Sequence, residues 1–291
     1  MIEMERFFSK LVSKKFWILL STGRPWNAFP VAVIGFSAAI LTNSNIAVTT
    51  SLLISFSLAC VYIAGAILND VFGQNHDKIN APYLPIIRGA VEPTEALRFA
   101  ILTYILGVLL AFLVNFTFFI IFLLFIAFSL FYSIPPIRAE RRGFFAQGYL
   151  AFTTGFMPAI AGAAAAGSFN IHVLTAFALF SLFFAFALII KDFKDILGDA
   201  AVGKRTFVIR VGRRFALNVA QIGTIVFLPS ALYAFYLLRP SPFLLISGLT
   251  VLLLIIHFQR FVNIDAEDAF AKMRISISLL LIVLLLWSVG I

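Results

Sequence analysis

Two stretches of this 291-residue chain gather side chains able to grip a phosphorylated ligand through a divalent cation. The first runs Ile67-Leu68-Asn69-Asp70-Val71-Phe72-Gly73-Gln74-Asn75-His76-Asp77. The second runs Ile189-Ile190-Lys191-Asp192-Phe193-Lys194-Asp195-Ile196-Leu197-Gly198-Asp199. Each directly follows an apolar run, and the two superimpose without gaps. Asn69, Gly73 and Asp77 fall against Lys191, Asp195 and Asp199. Positions i, i+4 and i+8 share one helical face, so each stretch would set its oxygen donors in a stripe. Mg²⁺ takes carboxylate and phosphate oxygens while retaining waters, and two facing stripes suit a pair of such ions bridging a diphosphate. Read singly, either stretch is equally a solvated acidic loop at a membrane surface. Their matched register favours a joint site, because several carboxylates crowded at a low-dielectric boundary repel one another without cations.

The elements that must carry these stretches are membrane helices. The chain is 62% hydrophobic and 12% charged, with a mean hydropathy of +1.04. Soluble domains carry roughly 25% charged residues, so a water-facing globule is excluded. The apolar runs are continuous rather than alternating, which excludes a barrel and leaves helices as the way to satisfy the backbone in lipid. Nine spans are expected: 25–42, 46–68, 96–114, 116–133, 144–167, 171–191, 215–237, 242–259 and 273–291. Each is near the ~20 residues that cross the hydrocarbon core. Residues 1–24 interleave Phe7, Phe8, Leu11, Val12, Phe16 and Trp17 with Lys10, Lys14 and Lys15, the pattern of an interfacial amphipathic helix that is retained. The whole chain, 1–291, reads as one domain.

With nine spans, the N-terminus and every second connection share one side of the membrane. Of the 22 Lys and Arg residues, Arg239 alone falls outside that side, and all 13 Asp and Glu residues lie within it. The basic bias marks it as cytoplasmic, and explains the net charge of +9 without nucleic acid. The acids have no topological reason to gather there. A transporter normally carries polar groups near mid-span, so the pattern points instead to a reaction chamber, a central cavity open to the cytoplasmic side. Cys60, the one cysteine, allows neither an intrachain disulfide nor a cysteine metal site. No P-loop, G-x-S-x-G or zinc pattern appears.

The two acidic stretches resemble those of the UbiA superfamily of intramembrane prenyltransferases. Asn69, Asp70 and Asp77 match its first aspartate-rich motif, and Asp195 and Asp199 its second. Further matches follow in order: Arg24-Pro25-Trp26-Asn27, Ile79-Asn80-Ala81-Pro82-Tyr83-Leu84-Pro85-Ile86 with Arg88-Gly89, Tyr132-Ser133-Ile134-Pro135-Pro136-Ile137-Arg138, and Gly203-Lys204-Arg205-Thr206. The resemblance implies nine helices and Mg²⁺-dependent transfer of a polyprenyl group, geranylgeranyl by preference, from its diphosphate to a lipophilic acceptor. It implies metal ligands at Asn69, Asp77, Asp195 and Asp199, with Asp70 and Asp192 in the same cluster, and catalytic roles for Asp77, Asp195 and Asp199. Arg24, Tyr132 and Arg138 are the implied diphosphate donors, joined by Lys191 and Lys204, which read equally as topology charges.

The segment from Ile79 to Ile86 is most like members that make archaeal ether lipids or attach the tail of chlorophyll, so a geranylgeranylglyceryl phosphate is the expected acceptor. Chlorophyllide, a quinone-precursor ring, haem, and intramolecular cyclisation stay open, as does a non-enzymatic lipid-binding or transport protein. No obligatory protein partner is expected. The chain departs from the family pattern at Gly73, where the central aspartate of the first motif belongs, and at Glu140, Gln147 and Ala187-Leu188. By position His76 could touch the metal site, though it reads first as an exposed loop residue, and the small residues of Gly155–Gly167 read as a close helix-packing face.

Overall fold

The computed structural model describes residues 14–290, all helices and connections, with no strand among them. Residues 14–22 are helical, and the rest of the expected interfacial segment, 1–13, lies outside the described residues. A 3₁₀ turn, Pro25–Ala28, leads into α1 (Phe29–Thr42). There follow α2 (Val48–Asn80), α3 (Pro93–Phe112) and α4 (Phe116–Ser133). Next come α5, made of Phe144–Ala151 and Met157–Ala165 around a π turn at Phe152–Phe156, and α6 (Ile171–Ala187) with a 3₁₀ extension Leu188–Phe193. Two short helices, α7 (Ile196–Ala201) and α8 (Phe207–Val211), precede α9 (Arg213–Leu238), α10 (Pro242–Phe261) and α11 (Ala266–Val289).

Eight helical segments among the described residues are long and apolar enough to cross a membrane. The remaining expected span, 144–167, is α5, whose π turn divides it into two short pieces. The turn has a visible cause. Thr153 and Thr154 donate their hydroxyls to the carbonyls of Tyr149 and Leu150, while Ser181 donates to Ala151 O at 2.7 Å. Such side-chain bonds compete with the regular ladder.

Local chemistry sets the helix ends. Asn115 Oδ1 accepts from Phe118 N–H at 2.8 Å, and Asn170, Ser241 and Asp265 cap α6, α10 and α11 in the same manner. Glu92 and Glu95 close a capping box ahead of Pro93.

The helices close a ring. α2 packs on α3, α6 on α9, α10 on α11, and α11 returns to α1, where Ser288 donates to Ser37 at 3.2 Å. One apolar core gathers around α6 and α9–α11, another around α2–α4. Between them α1 crosses α5 so closely that a Cβ on Gly162 would stand 2.3 Å from the carbonyl of Gly35. The small-residue stretch therefore packs helices, as its composition predicts. Outward faces carry Leu102, Leu109, Phe112, Phe116 and Leu253, an apolar surface that only lipid can cover.

α2 positions the site. Its 33 residues span ~50 Å at 1.5 Å per residue, more than the ~30 Å of hydrocarbon. The last three turns carry the first acidic stretch as unbroken helix.

Candidate active site

The first acidic stretch keeps the regular spacing that its sequence predicts, and Asn69, Gly73 and Asp77 share one face of α2. The second does not. Lys191 and Asp192 lie in the 3₁₀ extension of α6, the chain bends at Lys194 and Asp195, and only Ile196–Ala201 resumes an α-helix. The expected second stripe is thus a bent hook, set by the tighter winding of residues 188–193 and the break after them.

The hook and the helix meet through Asn80, one turn beyond Asp77. Its amide donates to Asp195 O at 3.1 Å and to Asp199 Oδ1 at 3.3 Å, while its Oδ1 accepts from Gly198 N–H at 3.0 Å. Gly198 makes this approach possible, since a Cβ there would fall 2.2 Å from Asn80 Oδ1. Asn80 was visible in the sequence only as part of a resembling segment. Its partners lie more than 110 residues away, and no local pattern could name them.

Around this junction the polar side chains form three connected groups. Asp70, 1% exposed, pairs with Arg24 through Oδ1, and its Oδ2 has no hydrogen-bond partner. Asn69 donates to Glu140 Oε2 at 2.7 Å and to Ser133 Oγ at 3.1 Å. Arg138 reaches Glu140 Oε1 at 3.2 Å and the carbonyl of Phe72 at 3.1 Å. Asp199, also 1% exposed, faces Lys204 Nζ at 3.3 Å. Burial pushes the Asp199 carboxyl above the ordinary carboxylate range, against the pull of Lys204. Asp195 meets Lys194 Nζ at 3.0 Å.

Asp192 accepts from Gln147 Nε2 at 2.6 Å. Both line a small polar cleft with Tyr132, Glu140, Lys191 and Lys204. Every site residue expected from the sequence therefore lies at one end of the bundle. Asp70, Asp192 and Asn69 are held by protein partners, Asp195 and Asp199 meet Asn80 at the junction, and Asp77 lies one turn before it on α2.

His76 differs from its expectation as an exposed loop residue. It lies on α2, buried, with Nε2 at 3.2 Å from Asp77 Oδ1. No local pattern marks its burial, because the room for it comes from the missing side chain at Gly73.

Two features fit this end for a phosphorylated ligand. Among the described residues, the non-glycine positions with left-handed backbone are Arg24 (φ 48°) and Arg138 (φ 40°). This conformation is strained for side chains of their size, and it falls on two of the expected phosphate donors. Buried polar atoms without a hydrogen-bond partner also gather here: Asp70, Asp77 and Asp199 each through Oδ2, with Arg138 Nε, Gln147 Oε1 and Thr206 Oγ1. Leaving such atoms unmatched is costly, and hard cations and phosphate oxygens are their natural complements. Among the described residues no three His, Cys, Asp or Glu side chains are grouped closely enough to hold a metal ion by themselves.

Residues 28–288 match the UbiA prenyltransferase family. The chain belongs to that family. UbiA relatives include the digeranylgeranylglyceryl phosphate synthases of Thermococcus kodakarensis, 27% identical over 72% of this chain and 74% of the relative, and of Methanocaldococcus jannaschii, 30% identical over 77% and 74%. The chlorophyll synthase of Avena sativa is 27% identical over 71% of this chain and 59% of its own length. The fold agrees with a UbiA homologue from Archaeoglobus fulgidus bound to GPP and Mg²⁺, at TM-score 0.69 and 18% identity, covering 95% of this chain and 100% of that one. A structure of digeranylgeranylglyceryl phosphate synthase gives 0.66 and 22%, covering 96% and 100%. The chain is an all-helical integral membrane prenyltransferase of the UbiA type.

Proposed function

We propose that this chain transfers a geranylgeranyl group from its diphosphate to a geranylgeranylglyceryl phosphate within the membrane. The observation that carries the reading is the Asn80 junction, which gathers both acidic segments beneath Arg24, Arg138 and Lys204. The choice of acceptor leans on the relatives that are named for that product. The mouth faces the cytoplasm in this reading, because the basic residues other than Arg239 fall on its side.

Asn69, Asp77, Asp195 and Asp199 would hold Mg²⁺, with Asp70 fixing Arg24 and Asp192 fixing Gln147 behind them. Bound there, Mg²⁺ neutralises the charge that grows on the departing diphosphate. Arg24, Arg138, Tyr132, Lys191 and Lys204 donate to its remaining oxygens, the arginines in fork geometry. As the C1–O bond of the donor breaks, its electron pair leaves with the diphosphate. The acceptor hydroxyl oxygen bonds to C1, and its proton passes to the departing diphosphate. Tyr132, stacked on Tyr149 with ring centroids 6.0 Å apart, presents an aromatic face to developing allylic charge, and the apolar helices exclude water from it.

The test is diphosphate release and product mass from purified protein given geranylgeranyl diphosphate, Mg²⁺ and a panel of acceptors. The panel holds geranylgeranylglyceryl phosphate, chlorophyllide, a quinone-precursor ring and haem. Release with the glycerol phosphate, stopped by EDTA, is expected. A cyclised product formed without acceptor would move the reading to a cyclase. Donor binding with no release from any mixture would end the enzymatic reading.

A further inference from the structure

The imidazole of His76 sits where a side chain at position 73 would project. A Cβ built on Gly73 would stand 2.7 Å from His76 Cε1, 3.4 Å from His76 Nε2 and 3.1 Å from Asp77 Oδ2. Ring and carboxylate thus converge on the space in front of Gly73. His76 is 8% exposed and Asp77 7%. Asp77 Oδ2 is buried without a hydrogen-bond donor, so one of the two oxygens of this pair is unmatched within the protein. The other, Oδ1, lies 3.2 Å from His76 Nε2. Neighbouring ligands on an octahedral ion with bonds of about 2.1 Å stand about 3.0 Å apart. The separation of Nε2 and Oδ1 is close to such an edge, and α2 sets both residues beside Gly73, at i+3 and i+4.

We propose that His76 is a nitrogen ligand of the divalent ion at the first acidic segment, taking the place that a carboxylate at position 73 would fill. Imidazole is a softer donor than carboxylate and suits Fe, Ni, Cu and Zn ions, whereas all-oxygen sites suit Mg²⁺ and Mn²⁺, so a nitrogen ligand on bound Mn²⁺ is a specific mark of His76. His76 therefore biases this site away from Mg²⁺ toward the transition series. Gly73 is part of the same device, since any side chain there must displace the ring. The inference rests on the diphosphate-site reading above.

Mn²⁺ is the probe, used with the purified full-length chain and read by pulsed electron paramagnetic resonance. Bound Mn²⁺ is expected to show nitrogen coupling that changes on ¹⁵N-histidine labelling and disappears in His76→Ala. That variant should bind Mn²⁺ about tenfold or more weakly, with a smaller loss for Mg²⁺. The double variant Gly73→Asp/His76→Ala, which has room for the new side chain, should recover Mg²⁺ binding without nitrogen coupling. It also guards against a failure of His76→Ala to fold.

Mn²⁺ bound with no nitrogen coupling, or coupling that persists in His76→Ala, would overturn the ligand assignment. Were diphosphate release still seen, the transfer reading would stand alone. Nitrogen-coupled Mn²⁺ with no release under any metal or acceptor would leave the ligand and remove the transfer. If the native chain binds no Mn²⁺, the ligand assignment is lost.

Discussion

The side-chain amide of Asn80 lies 3.3 Å from a carboxylate oxygen of Asp199, 119 residues further along the chain, and so joins the two acidic segments. The same side chain holds both the Asp195 carbonyl and the Gly198 amide, so it fixes the position of the hook as well as its distance. Asn80→Ala is expected to raise the Mg²⁺ concentration needed for half-maximal diphosphate release by about tenfold or more. Asn80→Asp should be worse, since a second carboxylate would replace the donor facing Asp199. Unchanged metal dependence in both variants would show that the hook holds its place without Asn80.

Gly198 offers an independent check on that junction. A methyl group there overlaps Asn80 Oδ1, at 2.2 Å, and the overlap involves a side chain already held by three bonds. Gly198→Ala should lower turnover as much as Asn80→Ala, and the two changes together should cost little more than either. Additive losses in the double variant would mean that the two residues act separately.

How much of this was legible beforehand follows from which contacts are local. The span 116–133 matches α4 at both ends, because an Asn cap and a continuous apolar run are properties of neighbouring residues. The first acidic stripe is likewise a matter of helical spacing. The π turn in α5 depends on Ser181, 30 residues on, and an apolar run carries no mark of it. The 3₁₀ winding of Leu188–Phe193 broke the expected second stripe for a similar reason. The apolar run into Lys191 reads as continuous helix, whereas Asp192 is drawn to Gln147 on another element. His76 was misplaced because burial there depends on an absent side chain, which a scan for chemical groups does not register.

Asp195 meets the junction through its carbonyl and Asp199 through Oδ1, with Asp199 Oδ2 at 3.3 Å from Lys204 Nζ. Asp195→Ala and Asp199→Ala should each reduce kcat/KM by about 10²–10³-fold, the scale of losing one preorganised electrostatic contact. EDTA should abolish what remains. Near-native turnover in either variant would remove that residue from the metal-binding set.

Arg24 has two duties that a pair of variants can separate. It faces the proposed diphosphate and also pairs with Asp70, whose other oxygen is already unmatched. Arg24→Ala strands a buried carboxylate and should destabilise the protein by about 1–3 kcal/mol, read as a lower Tm in detergent. Adding Asp70→Asn should restore most of the Tm but not the activity, leaving a raised KM for the prenyl diphosphate. Recovery of both together would reduce Arg24 to a structural partner.

Glu140 tests whether the departures of this chain from the family pattern are functional. It is buried, and it accepts from Asn69 on α2 and from Arg138 in the α4–α5 connection. By holding the Asn69 amide nitrogen, it leaves the amide oxygen as the atom available for a metal ion. It also restrains a guanidinium that sits in strained left-handed backbone. Glu140→Ala should therefore weaken Mg²⁺ dependence and donor binding together, where a change at Arg138 alone affects only the donor KM. Glu140→Gln keeps the shape but offers one accepting oxygen instead of two, so it can satisfy either Asn69 or Arg138 and should lie between the other two variants. Measuring KM for the donor and half-saturation for Mg²⁺ across the three decides the matter. If Glu140→Ala matches the native enzyme in both constants, Asn69 and Arg138 are positioned by other contacts.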